Sequence, residues 1–394
     1  IEQAWSAMYF MEHTRDEALK QKFVRYLQNG QLEITALFGN QNTDLSGHEE
    51  LNRLLYPSFR LKNRYNIPLK TAETNDMPGI NWGLVPVLHG AGIRYLYAGV
   101  QDYFSWGTTV PAPWDERKVM RRDIAGAFYW MGPDSTKVLF WYGGGSLDNL
   151  WLWTPPQAEA ELGQFLTRHQ SNGYPYDMLL ARVMGGYRDN SLPDLRHSQL
   201  IRTWNDTWAY PKIRFTTNQA FFADFEARHG SSLRTVRGDF NQTDYNIGAI
   251  STPRETGYHR ANQRQVTSAE TFATLAAGLT PWPYPRDQLN ESYERILLYN
   301  EHCWGMQYPS GPAHLAAISQ KTNHAYQAAA LIEDVQVKAL NKLADQISLP
   351  DEGHYLVVFN PLSHTRTDVV SLPLYASIPV GKPFFQEARP FGKQ

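Results

Sequence analysis

Cysteine is almost absent from this sequence. Cys303 is the only one in 394 residues, so no disulfide can form within them. Neither sign of charge is in excess, with 37 Lys and Arg against 39 Asp and Glu, and no basic run indicates a nucleic-acid surface. No apolar stretch approaches the roughly 20 residues that a membrane helix needs. The opening IEQAWSAMYF lacks the basic-then-apolar order of a signal peptide. We therefore predict a soluble protein without nucleic-acid or membrane partners.

Aromatic residues, in contrast, are abundant. They make up 13% of the chain and include 12 Trp and 22 Tyr. Most are expected in a hydrophobic core, but rings that stack on the faces of sugars would give the same excess. Composition alone leaves both interpretations open.

The order of the patterns divides the chain into three parts. Strand-like and helical patterns alternate through residues 1–261, which is typical of a parallel sheet with helices outside it. Residues 262–349 carry long helical patterns without strands between them. Residues 350–394 are rich in strand-like sequence around a turn. We predict an α/β domain, a helical domain and the beginning of a β domain, in that order.

Several local predictions concern the first part. Residues 31–38 and 212–216 have strand-like patterns. Ser46 and Glu49 have the spacing of a capping box, which predicts a helix beginning there. Pro57 is expected to end or kink that helix, because proline cannot donate a backbone hydrogen bond.

Two carboxylates are candidates for chemistry. Asp76, in TAETNDMPGI, follows a predicted strand and precedes the Pro78-Gly79 corner. Asp189, in MGGYRDNSLPD, follows another predicted strand. Reactive groups of α/β proteins collect at the carboxyl ends of strands, and two carboxylates there are the minimal apparatus of glycoside hydrolysis. Each Asp could equally serve only to form its own turn. A third acid, Asp239 of RGDF, also follows a predicted strand.

A histidine is the next candidate. His302, in LLYNEHCWG, lies near the end of a predicted helix. Such a residue is either a structural histidine or a metal ligand. The sequence has no HExxH, CxxC or HxH spacing, and a zinc site needs three protein ligands or more, so local spacing alone predicts no complete metal site.

Longer stretches together resemble the α-mannosidases of glycoside hydrolase family 38, especially the bacterial-type members. They occur in the order of that family: GQLEITALFGNQNTDLSGHEELNR, NDMPGINWGLVPVLHGAGIRYL, FYWMGPDSTKVLFW, YPYDMLLARVMGGYRDN, RGDF, LLYNEHCWG and VVFNPLSHTRTDVVSLPL. The resemblance implies an α/β barrel-like catalytic domain over residues 1–261, lacking its first strand. It implies a helical bundle over residues 262–349 and the beginning of a β-sandwich domain over residues 350–394.

The resemblance also implies a zinc-dependent, retaining α-mannosidase acting on an α-mannoside oligosaccharide or glycoconjugate. Asp76 matches the family's nucleophile, which is also a zinc ligand, and His302 matches a second ligand. Asp189 matches the acid/base, although the family often has two acids where this chain has Asp189-Asn190. Zn²⁺ is the expected metal, with another divalent ion as the alternative. Among the aromatic residues we predict substrate contacts for Trp82, Tyr103 and Trp304.

The sequence departs from the family in two further places. The family's first strand carries a His-x-Asp pair that supplies two zinc ligands, and no such pair occurs here. Val100 and Gln101 stand where the family often has an arginine. Either the remaining ligands come from outside these residues, from an upstream segment or another chain, or the protein is a non-catalytic carbohydrate-binding or scaffold relative. If another chain supplies the remaining ligands, it could be a second copy of this one, in a homo-oligomer.

Overall fold

The computed structural model describes residues 3–75, 77, 80–99, 126–143, 155–171, 173–181, 194–239, 251–302, 310–350 and 355–370. The helices of these residues are α1 (Ala4–His13), α2 (Glu17–Gln28), α3 (His48–Arg53), α4 (Tyr56–Tyr65), α5 (Leu84–Gly90), α6 (Pro155–Ser171), α7 (Arg196–Thr207), α8 (Asn218–His229), α9 (Pro253–Leu279), α10 (Arg286–Asn300) and α11 (Gly311–Ala344). The strands are β1 (Thr71–Asn75), β2 (Tyr95–Gly99), β3 (Gly126–Met131), β4 (Lys137–Gly143) and β5 (Thr235–Arg237). In this part of the chain no helix is both long and apolar enough to cross a membrane.

The strands form one mixed sheet in the order β1-β2-β4-β3-β5. β1, β2 and β4 are parallel, whereas β3 runs antiparallel to β4, and β5 is parallel to β3. The predicted parallel sheet is therefore right for β1, β2 and β4 and wrong for β3 and β5. A tight turn between β3 and β4 reverses the chain. In it Asp134 Oδ1 accepts hydrogen bonds from the amide and hydroxyl of Thr136, and Ser135 has a φ of 68°.

Successive side chains of a strand point to opposite sides of the sheet. Each side of this sheet packs against its own hydrophobic core. On one face Leu96, Phe128 and Phe140 belong to a core that includes residues of α5. On the other face the rings of Tyr95 and Trp141 meet those of α8. Tyr95 stacks on Phe222 with centroids 5.1 Å apart, and Trp141 meets Phe221 edge-on at 5.1 Å.

The long helices α9, α10 and α11 pack around a second core. It contains residues at helical spacing from each of them: Val266, Ala269, Phe272, Ala273, Ala276, Leu289, Tyr293, Ile296, Ala328, Ile332, Val335, Ala339 and Leu343. The long helical patterns of the sequence are thus helices. α9 begins at Pro253 and runs through the predicted boundary between residues 261 and 262. The division into domains stays a prediction.

Two predicted strands are wrong, for local reasons. In residues 31–38 the backbone is bonded outside any strand ladder, with Ala36 N donating to Thr71 O and Phe38 N to Leu54 O. In residues 212–216, Ile213 is held by a side chain, because Asn205 bonds both its amide and its carbonyl. The described residues 355–370 also form no strand.

The helix predicted after Ser46 exists but begins differently. Its first residue is His48, and Gly47 N donates to Glu50 Oε2 at 3.4 Å rather than to Glu49. The prediction for Pro57 is wrong: α3 already ends at Arg53, and Pro57 lies in the first turn of α4, where its missing N–H costs nothing.

Candidate functional site

The structure describes two of the predicted site residues. Asp76, Tyr103, Asp189 and Trp304 lie outside the described residues. Trp82 and His302 lie within them, as do the immediate neighbours of Asp76, Asn75 and Met77. The described part of the candidate site therefore consists of Trp82, His302, the neighbours of Asp76 and the segments that hold them.

Asn40 joins two of the segments that the sequence singles out. The amide of Asn75, the last residue of β1, donates to Asn40 Oδ1 at 2.8 Å. The amide of His302 donates to the carbonyl of the same Asn40 at 2.7 Å. Asn40 is 3% exposed. The chain just before Asp76 and the backbone of His302, far apart in sequence, thus meet at one buried residue.

The residues after Asn40 continue this pairing. Gln41 faces Glu301 in an antiparallel bridge, and Asn42 N donates to Asn300 O at 3.1 Å. The amide side chain of Gln41 reaches further back into α10 and donates to Leu297 O at 3.0 Å. Residues 40–42 and 300–302 therefore form a short antiparallel backbone pairing at the end of α10.

The imidazole of His302 is oriented by its neighbour. Nδ1 of His302 lies 2.9 Å from Oε1 of Glu301. Since a carboxylate only accepts hydrogen bonds, Nδ1 carries the proton, and in the neutral ring the lone pair then lies on Nε2. A histidine held in this way is typical of metal ligands, whose other ring nitrogen donates to a carboxylate. The same geometry also suits a simple ion pair with a protonated ring.

Lys321 of α11 holds the backbone of the same turn. Its Nζ donates to Leu298 O at 3.0 Å and also to Glu301 O. A cation at the carboxyl end of a helix satisfies carbonyls that have no partner within the helix and interacts favourably with the helix dipole. The end of α10 is thus bound from two sides, by residues 40–42 and by α11.

Trp82 is partly buried and bonded at both of its N–H groups. Its backbone amide donates to Asp239 Oδ1 at 2.5 Å, and its indole Nε1 donates to Met131 O at 2.5 Å. The ring packs against the core of the sheet. These contacts bring Asp239, just after β5, to the residues that precede α5. A contact between Trp82 and substrate stays a prediction.

The donor set for a metal is incomplete in the described part of the chain. There, no three His, Cys, Asp or Glu side chains lie close enough together to hold an ion. His302 fits a ligand by its orientation, but with Asp76 it would give two protein ligands where zinc needs three or more.

A buried carboxylate that the sequence patterns do not predict lies beside this site. Glu50 is fully buried; its Oε1 accepts from Asn300 Nδ2 at 2.7 Å and its Oε2 from Gln263 Nε2 at 2.5 Å. Burial raises the pKa of Glu50 to about 7, against the opposite effect of these hydrogen bonds. His259 Nε2 lies 3.6 Å from Oε2, and burial lowers the pKa of this histidine to about 3. The only hint in the sequence is the unusually polar stretch GNQNTDLSGHEE.

Comparison with known proteins finds similarity in structure. No family model matches the sequence, and no curated protein matches it. An alpha-mannosidase from Enterococcus faecalis V583 aligns with a TM-score of 0.62 and 16% identity over 83% of this chain and 36% of its own. A protein in glycosyl hydrolase family 38 from Enterococcus faecalis aligns with a TM-score of 0.56 and 16% identity over 85% of this chain and 34% of its own.

These alignments concern the fold. The resemblance to glycoside hydrolase family 38 that the sequence predicts is confirmed at that level. The chain spans about a third of the length of both solved structures.

Proposed function

We propose that this protein is a glycoside hydrolase, a retaining, zinc-dependent, α-mannosidase-like enzyme that acts on α-linked mannosides of oligosaccharides or glycoconjugates. Its fold is similar to that of family 38 structures, one of them an alpha-mannosidase. The observation that carries the proposal is the pair of hydrogen bonds that Asn40 accepts, one from the residue before Asp76 and one from the amide of His302. A site that needs Asp76 and His302 together requires these two segments to meet.

The chemistry follows the two-carboxylate scheme of retaining glycosidases. Asp76 attacks the anomeric carbon, and the bond from that carbon to the leaving oxygen breaks. Asp189 gives its proton to that oxygen, and then removes a proton from the water that hydrolyses the glycosyl-enzyme. Asp76 must be ionised and held still to attack, and the end of β1, which stops at Asn75, is proposed to hold it.

Asp76 and His302 are the residues that would hold the metal. A divalent ion there would supply positive charge and bind two adjacent sugar hydroxyls, which suits the 2- and 3-hydroxyls of mannose. The remaining ligands would come from outside these residues, from the same protein or from another chain. Trp82, Tyr103 and Trp304 are proposed as substrate contacts, since aromatic rings pack on sugar faces.

The test is Asp76→Asn, which removes the nucleophile and keeps the size of the side chain. We expect hydrolysis of an aryl α-mannoside to be abolished and the thermal unfolding midpoint to be unchanged. Asp134→Asn is the matched control, because Asp134 also follows a strand of the sheet but lies exposed in the β3–β4 turn, and its rate should stay at the wild-type value. Wild-type rates in Asp76→Asn would exclude Asp76 as the nucleophile.

The alternative function is a non-catalytic carbohydrate-binding or scaffold protein. It is motivated by the lack of a His-x-Asp pair in the sequence. Elemental analysis and calorimetry of the purified chain separate the two functions. Stoichiometric zinc together with turnover supports the enzyme. Binding of a mannoside without metal and without hydrolysis supports the alternative.

A further inference from the structure

Glu50 connects three separate parts of the molecule. It lies on α3, accepts from Asn300 at the end of α10 at 2.7 Å, and accepts from Gln263 of α9 at 2.5 Å. The amide of Gly47 adds a longer contact to Oε2 at 3.4 Å. The bonds to Asn300 and Gln263 reach two other helices, so the carboxylate sets the positions of α9 and α10 relative to α3.

Stability alone does not explain a carboxylate at this position. Moving an ionised carboxylate out of water is unfavourable, and replacing a buried ionic group by a well-packed apolar one is often neutral or stabilising. The raised pKa of Glu50 indicates that its hydrogen bonds do not fully offset the cost of burial. What a carboxylate offers here is two acceptor oxygens in fixed directions.

The bonds of Glu50 lead to the candidate site in two steps. Asn300 Nδ2, held by Glu50, also donates to Ser46 Oγ at 2.9 Å and to Asn42 O at 3.2 Å. Two residues later, the amide of His302 donates to Asn40 O. The backbone that carries His302 is therefore anchored at both Asn300 and His302, and Glu50 is the buried group that orients the first anchor.

We propose that Glu50 is a positioning residue that acts through Asn300 to fix the backbone of residues 300–302, and with it the imidazole of His302, relative to the end of β1. The role of His302 in catalysis rests on the proposed function. The effect of Glu50 on the backbone does not.

The experiment uses Cys303, the only cysteine of the chain, which follows His302 directly. The rate constant for its alkylation by iodoacetamide under native conditions reports on this segment without any added label. In Glu50→Gln one acceptor oxygen becomes an NH₂ group, so either Asn300 or Gln263 loses its partner. We expect alkylation to accelerate about threefold or more, because the segment opens locally more often. Turnover of an aryl α-mannoside should fall about tenfold or more at nearly unchanged KM, because a misplaced site residue slows the reacting step.

Glu33→Gln is the matched control. Glu33 is a partly buried carboxylate whose pKa is also raised by burial. It accepts from the hydroxyl of Thr71 and from the amide of Gln219, at 3.1 Å for the nearer oxygen pair. These partners lie at the beginning of β1 and of α8, away from residues 300–302. Alkylation of Cys303 should keep its wild-type rate in this variant.

Asn300→Ala tests the same connection from its other end. Faster alkylation in both Glu50→Gln and Asn300→Ala, with Glu33→Gln unchanged, supports the proposal. If alkylation accelerates only in proportion to the unfolded fraction, or equally in Glu33→Gln, Glu50 is a structural residue and the proposal is wrong. If the wild-type chain hydrolyses no mannoside, the proposed function fails, and the alkylation rates still decide whether Glu50 positions the segment.

Discussion

Two buried regions of this molecule are built from opposite chemistry. The first, which we name the polar junction, consists of Asn40, Asn42, Glu50 and Asn300, each at most 3% exposed. The second, the helix interface, is the apolar core between α9, α10 and α11, where Ile332 is 1% exposed. The polar junction reaches the candidate site through Asn40, which bonds the residue before Asp76 and the backbone of His302.

The difference shows what each kind of burial is suited to. Apolar contacts are not directional, so the helix interface contributes stability and tolerates small shifts of one helix along another. In the polar junction every donor needs an acceptor in a defined direction, so a shift leaves buried polar groups without partners. The helix interface is suited to stabilising the fold. The polar junction is suited to fixing the positions of the site residues relative to one another. The following predictions test this division.

The largest effect on stability is expected in the helix interface. Ile332→Ala removes buried carbons and leaves a cavity, which should lower the free energy of unfolding by about 3 kcal/mol. Urea unfolding measures the loss, and alkylation of Cys303 in the native state should stay at the wild-type rate. Val337→Ala is the control, since Val337 lies on the same helix but is 49% exposed. Equal losses in both variants would show that the interface is not packed as described.

The next largest effect is a pH dependence centred on Glu50. Its pKa is about 7 in the folded chain against an ordinary value of 4.5, so the folded state binds this proton more tightly than the unfolded state. The stability that the group contributes is fully present below the unfolded pKa and is lost as pH rises through the folded pKa. The loss between pH 4.5 and pH 7 is about 3 kcal/mol.

Glu50→Gln isolates this effect because glutamine does not titrate. The stability of the wild type minus that of Glu50→Gln should be greater at pH 5 than at pH 8. His259 titrates in the opposite sense, since its lowered pKa makes stability fall as pH drops from its unfolded value toward 3. His259 and the nearby Arg260 are present in both proteins, so the difference largely cancels their contributions. A difference independent of pH would contradict the raised pKa.

The sequence predicts the parts of the fold that depend on local pattern. β1, β2, β4 and the three long helices lie where the sequence has strand-like or helical patterns, which can be read in a short window. The direction of β3 and β5 does not, because pairing direction depends on which distant strand each one meets. The strand predicted at 31–38 fails for a related reason, since Ala36 bonds only the first residue of β1, Thr71, and Phe38 bonds Leu54, which lies outside the sheet.

For the site, the sequence predicts candidate residues but not the groups that hold them. Resemblance to a family points to Asp76 and His302, whose residue types the proposed chemistry demands. Asn40 and Glu50 carry no such signature, because polar residues in a polar stretch are expected at the surface. Their burial arises only when α3 and α10 come together, which no local pattern encodes.

A smaller effect is expected within the polar junction. Asn42→Ala deletes the side-chain bond from Nδ2 to Asn300 O, at 3.0 Å, but keeps the backbone bond from Asn42 N to the same oxygen. We expect a loss of about 1 kcal/mol in unfolding free energy. Alkylation of Cys303 should nevertheless accelerate, in contrast to Ile332→Ala. A variant with lower stability and an unchanged alkylation rate would remove the distinction between the two regions.

The smallest effect belongs to the solvent side of the same helices. Lys338 Nζ lies 2.7 Å from Asp334 Oδ2 one turn away on α11, and both side chains are largely exposed. Lys338→Ala should cost about 0.3 kcal/mol, because water screens the pair and ordering two long side chains opposes the attraction. The cost should vanish in 1 M salt, whereas that of Ile332→Ala should not, because only the ion pair is screened. Unfolding midpoints of both variants at low and high salt measure this, and a cost that persists in salt would mean that Lys338 contributes by packing its alkyl chain on the helix.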